Sequence, residues 1–124
     1  MLAVALPFTV TGVASANTDT SASARTSLTL AVQGPGKVIE IVKLKCDPAG
    51  GTHPNAWSAC AELRMARGNF NRLANQQEPV ACTMEYLPVV AKAIGRWHGK
   101  RVAWTHRFSN PCALHAATAT VFLF

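Results

Sequence analysis

Four cysteines, Cys46, Cys60, Cys82 and Cys112, stand 14, 22 and 30 residues apart in a chain of 124 residues. No two form a C-x-x-C pair, so the spacing argues against a structural zinc site, and no metal or cofactor is expected. An even number of cysteines in an exported chain instead predicts two disulfides, with three pairings open from the sequence alone. Each would close a loop that stabilises the fold by roughly 3 to 4 kcal/mol on the chain-entropy model. A chain this short forms one small domain, with no room for a dinucleotide fold or an α/β barrel. At 49% hydrophobic and 15% charged residues it has the means to build a core and is not a disordered chain.

Export is read from the first sixteen residues. Met1 to Ala16 carry no charge, are rich in Leu, Ala, Val and Phe, and end in Ala14-Ser15-Ala16 before polar Asn17-Thr18-Asp19. That is the apolar stretch and small-x-small cleavage site of a secretory signal peptide over residues 1–16. The basic residues that usually precede such a stretch are missing, which reads as a truncated or misplaced start. Pro7 and Gly12 interrupt any regular element there. No other segment approaches the ~20 apolar residues of a membrane span. The expected product is therefore secreted, extracellular and free of membrane, running from Asn17 to Phe124.

Within that product, residues 17–26 are mostly Ser, Thr, Ala and Asn and read as a flexible N-terminal arm, leaving 27–124 as the folded domain. Ser27 to Val32 alternates, Gly34-Pro35-Gly36 turns, and Val38 to Cys46 is rich in β-branched residues, which predicts two antiparallel strands. Pro54 to Arg67, with Gly68 just beyond, predicts a helix that buries Trp57, Cys60, Ala61, Leu63 and Met65. Asn71 to Glu78, anchored by Leu73, allows a short helical turn. Val89 to Trp97, Arg101 to Phe108 and Thr118 to Phe124 read as three more strands, Gly99-Lys100 turns between the first two, and the later part of Ser109 to Ala117 reads as one or two helical turns. The result is an antiparallel α+β domain with about five strands, one full helix and one short one.

Few groups in the chain suit catalysis. The six acidic residues, Asp19, Glu40, Asp47, Glu62, Glu78 and Glu85, show no local pairing, and His53, His98, His106 and His115 are scattered outside any catalytic motif. Cys82 as a nucleophile conflicts with its disulfide. The chain is not expected to be an enzyme, and no catalytic residue is assigned. Twelve Lys and Arg give a net charge of +6. Their tightest groups, Lys43 with Lys45 and Arg96 with Lys100 and Arg101, read as solvated edge charge rather than a nucleic-acid site. A non-inhibitory secreted module that holds an anionic polymer on those five residues is the reading from another class.

The segment from Pro79 to Pro88 has two prolines, a cysteine and large apolar side chains without helical or strand period. Met84 lies two residues after Cys82 and four before Pro88. An extended loop pinned by a disulfide next to an exposed apolar side chain is the shape a protease cleft accepts, and ordering it in advance removes the entropy loss on binding.

Cys46-Asp47-Pro48, Gly51-Thr52-His53-Pro54, Ser58-Ala59-Cys60-Ala61-Glu62-Leu63, Cys82-Thr83-Met84-Glu85-Tyr86-Leu87-Pro88-Val89, Trp97-His98-Gly99-Lys100-Arg101-Val102, Phe108-Ser109-Asn110-Pro111-Cys112 and Val121-Phe122-Leu123-Phe124 together resemble the Streptomyces subtilisin inhibitor family. The resemblance implies a five-stranded antiparallel sheet with two helices, pairing of Cys46 with Cys60 and of Cys82 with Cys112, and a homodimer through sheet packing. It implies a scissile bond at Met84-Glu85, with Met84 in the specificity pocket of a secreted subtilisin-like or chymotrypsin-like serine protease. Ala81, Cys82 and Thr83 would lie against the protease as an added strand, Tyr86 and Leu87 would occupy the leaving-group side, and Asn110 would brace the loop from beneath. Thr83 stands where the family often has Pro, and Glu85 where a smaller or β-branched apolar residue is commoner. Desolvating the Glu85 carboxylate in a complex should weaken binding by about 1 to 3 kcal/mol unless the target supplies a cation or donor. Some members of the family block a secreted metalloprotease, which makes inhibition of such an enzyme through a different surface the second inhibitor reading.

Overall fold

The computed structural model describes residues 25–36, 39–76 and 81–124. The signal-peptide reading of 1–16, nearly all of the arm 17–26, and Pro79 and Val80 lie outside the described residues. Eight elements follow in order: β1 (Thr26–Gln33), β2 (Glu40–Cys46), β3 (Gly50–Gly51), α1 (Ala56–Met65), a 3-10 helix (Phe70–Gln76), β4 (Val89–Trp97), β5 (Lys100–Phe108) and α2 (Pro111–Thr118). The strands form one antiparallel sheet in the order β3-β2-β1-β4-β5.

Alternation along the strands decides which sheet face is covered. Leu28 and Leu30 of β1, Leu44 and Cys46 of β2, and Val89, Ala91 and Ala93 of β4 point to one side and are buried. Helices α1 and α2, the 3-10 helix and the C-terminal residues cover that side with Leu63, Leu73, Leu114 and Phe122. No described helix or loop core residue covers the other side. The expected α+β architecture is present, with β4 starting and ending at the expected residues and β5 extended by Lys100.

Four local expectations are corrected. The first strand begins at Thr26, not after it, because that residue is buried and its hydroxyl accepts a hydrogen bond from the His98 N–H at 3.0 Å. Helix α1 is shorter than Pro54 to Arg67: it starts after Asn55, and its end closes with Arg67 N–H to the Arg64 carbonyl and Gly68 N–H to the Leu63 carbonyl. This double bond closure puts Arg67 at φ 58° and Gly68 at φ 75°, where a Cβ on Gly68 would run into the Trp97 indole. The apolar face of α1 is also narrower than expected. Ala59, Cys60 and Leu63 are buried, whereas Trp57 is 78% exposed and Met65 is exposed too.

Thr118 to Phe124 is not a strand. Helix α2 runs through Thr118, whose hydroxyl donates back to the Leu114 carbonyl at 2.7 Å, and Ala119 at φ 54° then turns the chain. Thr120 donates both its N–H and its hydroxyl to Glu62 Oε1, at 2.9 and 2.7 Å, so Val121 and Phe122 enter the core from a turn rather than a ladder. The fifth strand is instead the two-residue pair Gly50–Gly51 against Leu44 and Lys45.

Candidate functional site

Most of the contacts that position the loop before β4 come from the start of α2 and the residues just before it. Asn110 precedes Pro111, and its extended backbone makes it the helix N-cap, with Oδ1 accepting from the Ala113 N–H at 2.8 Å. The same side chain, only 3% exposed, turns Nδ2 toward the loop and donates to the Thr83 carbonyl at 3.2 Å and the Glu85 carbonyl at 2.7 Å. One amide therefore uses its acceptor for the helix and both donor hydrogens for the loop. One residue into the helix sequence beyond Pro111, Cys112 is bonded to Cys82. One residue before the cap, the Ser109 carbonyl accepts from the Leu87 N–H at 2.8 Å.

The backbone hydrogen bonds fall at alternate residues, 83, 85 and 87, with the disulfide just before them at 82. The residue between the two braced carbonyls is Met84, and it is 97% exposed. Ala81, Thr83, Glu85, Tyr86 and Leu87 are exposed as well, and Cys82 is half-buried. No regular secondary structure interrupts residues 81–88. An apolar side chain held out into solvent by a backbone fixed on both sides is a contact surface by construction, since burying Met84 in the fold would have been favourable.

The second disulfide lies elsewhere. Cys46, at the end of β2, is joined to Cys60 on α1 and fastens the helix to the sheet, away from the loop. The structure thus has the two pairings the resemblance implies. Two loop contacts had no sequence signal. Ser109 acts through its backbone, which any residue carries, and Arg107 donates from Nη2 to the Tyr86 hydroxyl at 3.2 Å. The alternation of β5 marks Arg107 as facing away from the core, yet nothing in the linear order brings it to Tyr86.

The basic residues singled out in the sequence do not touch the loop. Lys43, Lys45, Arg96 and Arg101 lie on the uncovered sheet face, and Lys100 sits at the β4–β5 turn.

Comparison with known proteins gives this arrangement a family. A family model described as subtilisin inhibitor-like matches residues 24–110. "Protease inhibitor SIL-V5" of Streptomyces luteoverticillatus is 44% identical over 84 residues, covering 67% of this chain and 78% of that protein. A "transglutaminase-activating metalloprotease inhibitor" of Streptomyces mobaraensis is 46% identical over 84 residues, 67% of this chain and 57% of that protein. Among solved structures, Streptomyces caespitosus sermetstatin in complex with Bacillus licheniformis subtilisin superimposes with a TM-score of 0.67 at 35% identity, over 81% of this chain and 99% of that one. With the sheet, both disulfides and the braced loop in place, the chain belongs to the subtilisin inhibitor-like family.

Proposed function

We propose that this protein is a secreted inhibitor of subtilisin-like serine proteases that offers residues 81–87 as a pre-ordered substrate, with Met84-Glu85 as the bond presented for attack. The observation that carries this reading is the exposure of Met84 between two carbonyls held by one buried amide. Fixing a backbone takes about 1 to 2 kcal/mol per residue, and here the fold has already done so before the protease arrives.

In the complex, Met84 fills the apolar specificity pocket and residues 81–83 add a strand to the protease cleft. The protease serine attacks the Met84 carbonyl carbon, and the Glu85 amine is the leaving group. That amine does not diffuse away. The Asn110–Glu85 and Ser109–Leu87 hydrogen bonds hold it on one side, while the Cys82–Cys112 bond and the Asn110–Thr83 contact hold the acyl side. Religation then competes with hydrolysis, and the complex persists. Glu85 sets the preference among targets, because its carboxylate must be desolvated beside the scissile bond.

The test is titration of subtilisin and chymotrypsin with the oxidised protein, followed by mass spectrometry of the recovered inhibitor. Stoichiometric inhibition with slow cleavage at Met84-Glu85 alone is expected, and Met84→Gly should weaken it at least a hundredfold without unfolding the chain, since fully burying a methionine contributes about 1.5 to 3 kcal/mol and the glycine also loosens the loop. Inhibition unchanged in Met84→Gly would sink the reading. The metalloprotease inhibitor among the relatives favours one alternative, a second target engaged through another surface. Inhibition of a secreted zinc protease that survives Met84→Gly would be its signature.

A further inference from the structure

One tie on the loop comes from the sheet rather than from the region of α2. Arg107 donates from Nη2 to the Tyr86 hydroxyl at 3.2 Å. Arg107 is the next-to-last residue of β5 and pairs with Val90, which follows Tyr86 by four residues. Alternation packs its neighbour Phe108 against the core and turns Arg107 to the other side of the sheet. Two long side chains reaching toward each other close a gap of four extended residues, about 13 Å of chain. The guanidinium makes the link charge-assisted and stronger than a bond between neutral groups. Tyr86 is still 67% exposed, so it is held by its tip while its ring stays open to a partner.

Each residue on the leaving-group side of Met84-Glu85 therefore has a tie of its own. The Glu85 carbonyl accepts from Asn110, the Leu87 N–H donates to the Ser109 carbonyl, and the Tyr86 hydroxyl accepts from Arg107. The first two partners stand just before α2, which packs on the covered side of the sheet, whereas Arg107 reaches the loop from the other side. The difference matters once the bond is cut. Residues 85–87 are then a loose end joined covalently to the body only through Pro88, and ties from one side alone would let that end swing.

We propose that Arg107 is a positioning residue for inhibition: by holding the Tyr86 hydroxyl it clamps residues 85–87 from the second side, so that the Glu85 amine stays in line to re-form the cut bond. This role rests on the reading of residues 81–87 as the loop the protease attacks. In religation the Glu85 nitrogen adds to the Met84 carbonyl carbon of the acyl-enzyme, the ester bond to the protease serine breaks, and the proton released by the amine passes to the serine oxygen. An amine kept within bonding distance reacts as an intramolecular nucleophile, whereas one that swings away leaves the ester to water. The link lies within one chain, so the role needs no free surface around Arg107.

The experiment incubates the oxidised protein with a catalytic amount of subtilisin until the ratio of cut to intact Met84-Glu85 is constant, and reads that ratio by mass spectrometry. Arg107→Leu and Tyr86→Phe should each raise it about fivefold, the loss of one hydrogen bond. The double variant should go no further than either single one, because both remove the same link. Arg107→Lys should recover part of the effect, and Arg72→Leu, the same charge change on the exposed face of the 3-10 helix, should stay within about twofold of wild type. Association with subtilisin should also stay within about twofold, since the uncut loop retains its backbone ties. Tyr86 is the only tyrosine in the chain, so a 13C label on the ring carbon that carries its hydroxyl gives one signal. That signal should move in Arg107→Leu and stay in Arg72→Leu. A ratio unchanged by Arg107→Leu, additive effects in the double variant, or a tyrosine signal indifferent to Arg107 would each overturn the role while wild-type inhibition stands. A wild-type protein that is cut elsewhere, or that inhibits nothing, would instead overturn the loop reading and this role with it.

Discussion

Asn110 is asked to do three things with one side chain, and the carboxamide is the only short group that can. Its oxygen caps α2 at Ala113 while its nitrogen bridges the Thr83 and Glu85 carbonyls. Asn110→Asp separates these tasks. The carboxylate still accepts at the helix N-terminus, where a negative charge is favourable, but it presents an acceptor to two carbonyls that need a donor. Two hydrogen bonds of about 1 kcal/mol each are lost, so cleavage of Met84-Glu85 by subtilisin should rise roughly thirtyfold while far-UV circular dichroism stays unchanged. A variant that remains uncut would mean that the disulfide alone restrains the loop. In the sequence, Asn110 before Pro111 carries the chemistry of a helix cap. Its reach to residues 25 and 27 positions earlier is long-range, and only the resemblance to a family pointed to it. Met84 was more legible, because two prolines and a cysteine around an unpaired apolar side chain leave it little chance of turning inward.

At the scale of elements, the two disulfides divide the labour. Cys46–Cys60 joins β2 to α1 within the body of the fold, whereas Cys82–Cys112 joins the loop to α2. Replacing either pair with Ser should lower stability by about 3 to 4 kcal/mol on the chain-entropy model, since both close loops of similar length on a logarithmic scale. Their effects on inhibition should differ. Without Cys46–Cys60, a protein assayed well below its melting temperature should still inhibit subtilisin; without Cys82–Cys112, the acyl side of a cut loop is freed and the protein should be consumed as a substrate. Equal loss of inhibition from both would mean the loop is sensitive to global stability alone. Element identity was legible where the pattern was long: β5 alternates through Val102, Trp104, His106 and Phe108, and β4 is a nine-residue run bounded by Pro88 and the Gly99-Lys100 turn. It failed where the pattern was short. Val-Phe-Leu-Phe at the C-terminus is as apolar as a strand, but a run that short also fits a buried turn, and the Glu62 clasp on Thr120 that decides between them is 58 residues distant. The exposed Trp57 and Met65 show the same limit on α1, where a narrow line of Ala59, Cys60 and Leu63 suffices to meet the sheet.

For the molecule as a whole, the sheet divides two kinds of surface that the linear sequence mixes. Lys92 and Arg107 join Lys43, Lys45, Arg96 and Arg101 on the uncovered sheet face through strand register alone, while Lys100, next to Arg101 in sequence, falls at the turn. The covered side is closed by the last residues of the chain. His53 accepts from the Asn55 N–H at Nδ1, which places its proton on Nε2 and lets that atom donate to the Val121 carbonyl at 2.8 Å. Phe122 then lies among Phe70, Trp104 and Phe124 with ring centroids 6.1, 5.7 and 6.0 Å away. The same buried cluster contains Leu114 of α2, so the platform beneath the Met84 loop and the C-terminal plug are parts of one core. Phe122→Ala should therefore cost about 3 to 5 kcal/mol, and at roughly 4 to 8 °C per kcal/mol for a domain of this size the melting temperature should fall by more than about 12 °C. Because the loop hangs on α2, loss of inhibition on heating should track the shifted unfolding curve rather than precede it. If the variant lost inhibition well below its own melting temperature, the platform would be melting separately from the sheet, and the single shared core would be the wrong account.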